Sequence, residues 1–596
     1  MPEWRGLFLA SVGAASVGLV LLWRRDALSM RRVLVGAVVL RLAYAPLLPL
    51  LSDDMFRYVW DGWLQVAGIN PFRWTPEADA LAAWRDTTLF AEMNSRSYYS
   101  VYPPLSQMIF ALGGLVSETD WRASYFAIKG AFLLLEGVGV WMLAQMTTAR
   151  NVLLYAWNPL VLVEVAGQAH TEAAMIPFLI GAVWAVRCGW GRWASVAIAG
   201  AGLVKLYPFV LGPFLLRRFG WHAVWPGALV VIGASLPYAA PYVLPHMKTS
   251  VDLYAHLFEF NAGPYYAVKE ALWIATGTDW SKTIGPAFRA MFLLSLPMLY
   301  ALDAWRTWSF RQAALVTLGT FFVFSTTVHP WYLLAVLPLA VLRGRPTWAW
   351  MWLGLCAMGT YGFYTDDGYW PWVVAGWGGA AFIALRPVFD AVLQRIQRQR
   401  AREKVAHLAI SLQRINAAHP GRRLCVLDLG AGEGYVGHEV ATQYNARVRL
   451  ADVVRMNRTP LPLDVYDGRT LPYADNTFDA TVLYYVLHHC EHPERVLAEA
   501  LRVSRHVLIV ESVYHAEQQR KVLRVLDQTA NRVRSAGRMT AQEEHLSFRT
   551  PKQWEAVFEA WDVTLHRRER HGSWVHPQAT WHLQSAAREA ASVTCG

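Results

Sequence analysis

Two carboxylates stand side by side in "SDDMFRYVWDG", residues 52–62, with an Arg, a third Asp and several aromatics close behind. Adjacent acids raise each other's pKa, so one of Asp53 and Asp54 can accept a proton near neutral pH. Arg57 can grip a phosphate through two parallel N–H bonds. Asp61 adds a further charge, and Phe56, Tyr58, Trp60 and Trp63 offer flat faces to a sugar ring. Polar residues also interrupt apolar stretches further on: Tyr102 in "YPPLSQ", His170 in "GQAHTE", Lys205 in "KLYP", His329 in "VHPWY", and Asp366 with Asp367 in "TDDGYWP". Ionisable groups at membrane depth are costly and tend to mark function. Lys205 has the alternative of snorkelling to an interface, and His329 that of capping a helix. Asp366 and Asp367 read as an exposed turn. Arg41, Lys129, Glu136 and Glu164 read as structural pairs.

A second set of residues lies in "RRLCVLDLGAGEGYVGHEVA", 422–441. It reads as a short strand, a Gly-rich turn that lets backbone approach a ligand, and a helix start. Gly432, Gly434 and Gly437 fit the spacing GxGxxG, and Asp452 stands where an acid would meet ribose hydroxyls. "HHCEH", 488–492, holds metal-binding residue types. Adjacent ligands rarely point together, however, so no metal site is assigned. His488 and His489 are instead candidate bases in a loop over the ligand.

The elements that carry these residues are of two kinds. From Gly6 to about Leu385, apolar runs recur, several approaching the roughly 20 residues that cross a hydrocarbon core. Beyond that no such run occurs and charges become frequent. Short Arg-bearing loops (Arg24 and Arg25, Arg150, Arg187, Arg217 and Arg218, Arg306, Arg343 and Arg345) belong on the cytoplasmic side. Placing them all there predicts about 13 crossings, some too short to span alone (207–217, 331–342) and therefore broken or re-entrant. The acids and aromatics then gather on the outer face, with the N-terminus. Residues 1–385 form the membrane domain and 405–596 a cytoplasmic domain. Between them, 386–404 has Val388, Phe389, Val392, Leu393 and Ile396 at helical spacing among basic residues, as in a helix on the inner leaflet. The net charge of +11 follows from these Arg loops, and no nucleic-acid partner is expected. The five cysteines, at 188, 356, 425, 490 and 595, suggest no disulfide framework or zinc motif.

With "GINPF" (68–72), "YPPLSQ" (102–107), "WNPLVLVEVAGQAH" (157–170), "KLYPFVLGPFLLRR" (205–218) and "VHPWYLLAVLPL" (328–339) following the first motif in order, residues 30–385 resemble the GT-C-fold membrane glycosyltransferases. The resemblance is nearest to bacterial mannosyltransferase-like enzymes that use polyprenyl-phosphate sugars. It implies a catalytic acid at Asp53 or Asp54 that deprotonates an acceptor hydroxyl. It also implies a glycan or lipid acceptor, with Arg57, Asp61, Tyr102, His170, Lys205 and His329 at the substrate; a divalent metal is left open. One departure is His170-Thr171-Glu172, where relatives often show His-Asn-Asp. "DLGAGEG" and "LPYADNTFDATVLYYVLHHCEHPERVLAEALRVSRHVLIVES" (471–512) resemble class I methyltransferases. That implies an α/β Rossmann-like domain binding S-adenosyl-L-methionine through Asp428, Gly430, Gly432, Gly434, Asp452 and Asp467, with His488 or His489 as the base for a methyl acceptor. The expectation is an all-α polytopic domain fused to a methyltransferase in the cell membrane. The alternative is a lipid-linked-sugar transporter or flippase tethered to a methyltransferase, and it is disfavoured because transport sites sit near the midplane.

Overall fold

The computed structural model describes residues 2–85, 87–342, 348–361, 367–535 and 546–586. Arg343, Arg345, Asp366 and Cys595 lie outside them, and Asp367 opens a short 3₁₀ turn, Asp367–Tyr369. The chain divides into two compact units, Met1–Arg386 and Pro387–Gly596, close to the expected boundary.

The first unit is helical. Four described helices are long and apolar enough to cross a membrane: Gly6–Arg25, Trp121–Met146, Ser281–Arg306 and Trp370–Ala406. The pair Trp221–Tyr238 and Val243–Asp252, bent by 100°, is a broken span or a re-entrant loop. The other expected crossings are shorter or broken pieces. The stretch 149–167 is a helix (Ala149–Ala156), one turn (Pro159–Val161) and a π-helical segment (Leu162–Gly167). The stretch 207–219 is a 3₁₀ turn, Tyr207–Leu211, followed by Gly212–Phe219, and 330–341 is likewise two short pieces. Pro at the start of several pieces explains the breaks, since it lacks an N–H and cannot continue a preceding helix.

Buried polar ties hold this unit together. Arg41 forms a two-pronged bond to Glu136 at 2.7 and 2.6 Å, and Lys129 donates to the carbonyls of Tyr44, Leu47 and Gly167. Lys129 thereby satisfies chain-end carbonyls that the apolar surroundings leave without water. Helices Asp54–Val66 and Pro104–Val116 pack closely because Gly62 and Gly114 face each other; a Cβ on Gly62 would meet the Phe110 carbonyl at 2.2 Å. Tyr58 stacks on Phe110 across this contact, with ring centroids 4.6 Å apart.

The second unit is a seven-stranded sheet in the order β3-β2-β1-β4-β5-β7-β6. Its strands are β1 Cys425–Leu429, β2 Arg447–Asp452, β3 Leu463–Val465, β4 Phe478–Tyr484, β5 Ser504–Ser512, β6 Val563–Gly572 and β7 Pro577–Ser585. The first five run parallel, while β7 is antiparallel to both β5 and β6. β1 and β4 are buried at every position, as central parallel strands covered on both faces must be. Strand order reverses between β1 and β4, which opens a crevice at their C-terminal ends. Among the described cysteines, Cys188, Cys356 and Cys490 are free.

The basic stretch 386–404 is helical. It is the continuation of helix Trp370–Ala406, and its Val388, Phe389, Val392 and Ile396 are exposed.

Candidate active sites

Asp54 opens helix Asp54–Val66, where the helix dipole favours a negative charge. Asp53 is the residue before it and accepts a bond from Asn94 Nδ2 at 2.6 Å. Three chain breaks bring the partners in. His170 follows the π-helical segment and Ala169, whose φ of +60° is rare for a residue with a Cβ. Lys205 is the extended residue that ends helix Gly191–Val204. His329 precedes the 3₁₀ turn Pro330–Ala335. Each break frees a polar side chain from a helical wall and aims it inward.

The resulting cluster is compact. His170 Nδ1 lies 3.8 Å from Asp54 Oδ2, and its Nε2 lies 3.2 Å from Glu164 Oε2. The His170 ring stacks on Trp331, with centroids 3.9 Å apart, and Trp331 in turn stacks on His329. Lys205 Nζ pairs with Glu172 Oε1 at 3.1 Å and sits over the rings of Tyr102 and Tyr332. Asp53, Asp54, Tyr102, His170, Lys205 and His329, read separately along more than 270 residues, therefore form one neighbourhood.

Arg57 and Asp61 do not belong to it in the expected way. Arg57 Nε bonds Asp61 Oδ1 at 2.8 Å, and Nη1 donates to the carbonyls of Ser95 and Tyr98. Asp61 also accepts from Ser100 and Gln107. Asp61 is fully buried and Arg57 nearly so, and the Arg57 Nε and Nη1 groups are engaged within the loop. They brace the first loop. Their i, i+4 spacing on a helix is the signal that foretells such a pair.

Glu164 is the opposite case. Read as a structural partner, it faces His170 and accepts from Tyr361 Oη at 2.8 and 2.9 Å. Trp331 and Tyr361 had no signal beyond aromatic residues in an apolar run.

In the second unit a cavity of about 630 Å³ fills the crevice; its walls include Asp428, Gly430, Gly432, Asp452, Asp467 and His489. Gly430, Gly432 and Gly434 all have positive φ. A Cβ on Gly430 would strike Val486 at 2.6 Å and one on Gly434 would strike Asn457 at 2.6 Å, whereas one on Gly432 meets nothing within 4 Å. The turn thus leaves open space above Gly432, as a cofactor cradle needs. Asp452 steadies it by accepting from the Gly432 and Val454 amides. Asp428 accepts from Gly437 N, and burial pushes its carboxyl up to about 7. Asp467 stands exposed at the rim; the Thr470 and Arg469 amides hold its carboxyl below the usual range. The expected cofactor residues therefore all line one cavity or its supporting turn, and they fit a nucleoside-bearing ligand.

The two histidines separate in role. His488 is fully buried, with Nδ1 2.6 Å from Glu511 Oε2. Burial disfavours its charged form, but the Glu511 and Asp527 carboxylates outweigh this and push its pKa up to about 9. His488 is thus held by Glu511 and is not among the residues that line the cavity. His489 lies on the cavity wall, with Nε2 3.5 Å from Asp527 Oδ1. Cys490 also lines the cavity, but burial pushes its thiol up to about 12, away from any nucleophilic thiolate.

Comparison with known proteins agrees with this division. Residues 4–219 match the family described as alpha-(1->6)-mannopyranosyltransferase, N-terminal domain, and residues 427–510 match a methyltransferase domain. A demethylmenaquinone methyltransferase of Renibacterium salmoninarum is 32% identical over 94 residues, covering 15% of this chain and 39% of the relative. The chain thus spans well under half the length of that curated relative. Among solved structures, magnesium protoporphyrin IX methyltransferase of Synechocystis is similar at 14% identity, over 32% of this chain and 84% of its own, with a TM-score of 0.23. The YcgJ protein of Bacillus subtilis is similar at 14% identity, over 31% and 99%, with a TM-score of 0.23. The N-terminal part is similar to mannosyltransferases and the C-terminal part to S-adenosylmethionine-dependent methyltransferases.

Proposed function

We propose that the chain is a bifunctional membrane enzyme, transferring mannose from a polyprenyl-phosphate donor to a glycan or lipid acceptor and methylating a second acceptor with S-adenosyl-L-methionine. The observation that carries the first half is the convergence of Asp54, His170, Glu164, Glu172 and Lys205 in one cluster. Asp54 is the proposed base. It stands at a helix N-terminus with its carboxylate part-exposed and toward His170, whereas Asp53 is tied to Asn94. The acceptor hydroxyl gives its proton to Asp54 while its oxygen bonds the anomeric carbon, and the bond from that carbon to the lipid phosphate breaks. Lys205, kept in place by Glu172, offsets the charge that develops on the departing phosphate. The Arg-loop pattern supports an outward-facing sugar site and a cytoplasmic methyltransferase.

For the second half, S-adenosylmethionine supplies an electrophilic methyl group. The Gly430–Gly434 turn makes room for it, Asp452 is placed for its ribose, Asp467 faces the cavity rim, and His489 is the proposed base for the methyl acceptor.

The test is sugar transfer by the full-length protein in detergent from radiolabelled polyprenyl-phosphate mannose. Asp54→Asn is expected to lose about a hundredfold or more in rate, the usual contribution of a positioned base, with a smaller loss for Asp53→Asn. Equal rates for wild type and Asp54→Asn would remove Asp54 from this role. No transfer by folded wild type would overturn the mannose donor.

A further inference from the structure

We infer that His488, His489 and Asp527 form a binding site for one divalent first-row metal ion, of the zinc or iron(II) class, beside the methyl-donor cavity. Neighbouring histidines seldom aim at one point, but here a 3₁₀ turn, Leu487–His489, places their rings side by side with centroids 4.1 Å apart. Asp527, on helix Glu517–Ser535, faces both. Its Oδ1 lies 3.7 Å from His488 Nε2 and 3.5 Å from His489 Nε2, and the three ligand atoms all lie within 4.8 Å of one another.

The separations suit a bridging ion better than a direct hydrogen bond. An N–H···O hydrogen bond is about 2.7–3.2 Å long, and both gaps exceed it. Two atoms bound to the same ion at about 2.1 Å can stand up to about 4.2 Å apart, which accommodates both. His488 supplies the independent sign. Its side chain is 1% exposed and its Nδ1 is committed to Glu511, yet its Nε2 has no hydrogen-bond partner and looks toward the carboxylate. A buried nitrogen without a hydrogen-bond partner, facing a carboxylate across such a gap, is the arrangement that a cation between them would complete. Glu511 completes the pattern. It receives the far nitrogen of His488 and is itself pinned by the amides of Val486 and Leu487, as carboxylates behind metal-bound histidines are. Phe548 stacks on His488 and shields it.

Two imidazoles and one carboxylate leave coordination positions open. His489 and Asp527 line the methyl-donor cavity, so an open position facing the cavity would take an oxygen of the methyl acceptor. Binding of the ion itself does not depend on which acceptor is used.

The test reads metal rather than turnover. Full-length protein in detergent is stripped with a chelator, dialysed, and titrated with Co²⁺, followed by visible absorption and elemental analysis. S-adenosylmethionine binding is measured on each sample as a control for folding. Wild type should bind a single equivalent, and His489→Ala and Asp527→Asn should each weaken binding at least about tenfold. Glu511→Gln, which keeps an acceptor for the two amides, should weaken it about 10–100-fold. Asp527→Asn counts only if it still binds S-adenosylmethionine. His489→Ala, on the cavity wall, then decides alone. Absence of a stoichiometric site in wild type, or Co²⁺ binding unchanged by His489→Ala, would overturn the assignment.

Discussion

Arg57 and Asp61 show how one residue pair can read as chemistry and act as architecture. Together they tie the first turn of helix Asp54–Val66 to carbonyls at 95 and 98 and to Ser100 and Gln107. Removing one partner of a buried ion pair leaves the other charged and unmatched, at a cost of about 3–5 kcal/mol. Arg57→Ala is therefore expected to lower the thermal stability of the purified protein and its folded yield. Residual folded enzyme should keep a near-normal KM for the lipid donor. A raised KM at unchanged stability would return Arg57 to the substrate. The sequence made the acids, His170, Lys205 and His329 visible because each interrupts an apolar run, where a charge needs a reason. Glu164 interrupts one too, but its partner Tyr361 lies almost 200 positions away, and no local spacing could pair them. Trp331 was hidden for a simpler reason: an aromatic in a membrane segment looks the same whether it stacks on a buried histidine or on lipid.

At the scale of elements, the Gly-rich turn between β1 and the helix Tyr435–Gln443 distinguishes backbone need from ligand need. Gly430 and Gly434 have protein atoms where a Cβ would go, and Gly432 has open space. Gly430→Ala should therefore unfold the turn and lower stability together with S-adenosylmethionine affinity. Gly432→Ala, whose only intramolecular penalty is its positive φ, should lower affinity about tenfold or more with a smaller fall in melting temperature, by titration calorimetry and thermal scans. A Gly432→Ala protein with normal affinity would mean that the ligand does not pass over this turn. The strand, turn and helix here were legible because local patterning and tertiary role agree. The antiparallel β6–β7 pair was not, since β6, "VTLHRRERHG", is a polar, mostly exposed strand with little apolar alternation. The short pieces at 149–167, 207–219 and 330–341 were legible only as lengths too small to span. Their breaks, set by Pro and by pairing with distant residues, decide where His170, Lys205 and His329 end up.

For the whole molecule, the hydrophobic clusters stay within their units, two in the helical part and two flanking the sheet. Sites that share no packing partners behave additively. Asp54→Asn should therefore bind S-adenosylmethionine as tightly as wild type, and Gly432→Ala should transfer mannose at the wild-type rate. Either variant impairing both activities would show that the units communicate. Within the membrane unit, one tie has a further consequence. The side-chain carbonyl of Gln168 accepts from the amides of both Leu50 and Leu51, and Lys129 joins the carbonyls of Leu47 and Gly167. The strand of chain leading to the acid and the one leading to the histidine are thus stitched at two points. Asp54 and His170 form a fixed jaw, already set before any sugar arrives. On the proposed function, acceptor choice becomes a matter of fit to that gape rather than of its rearrangement.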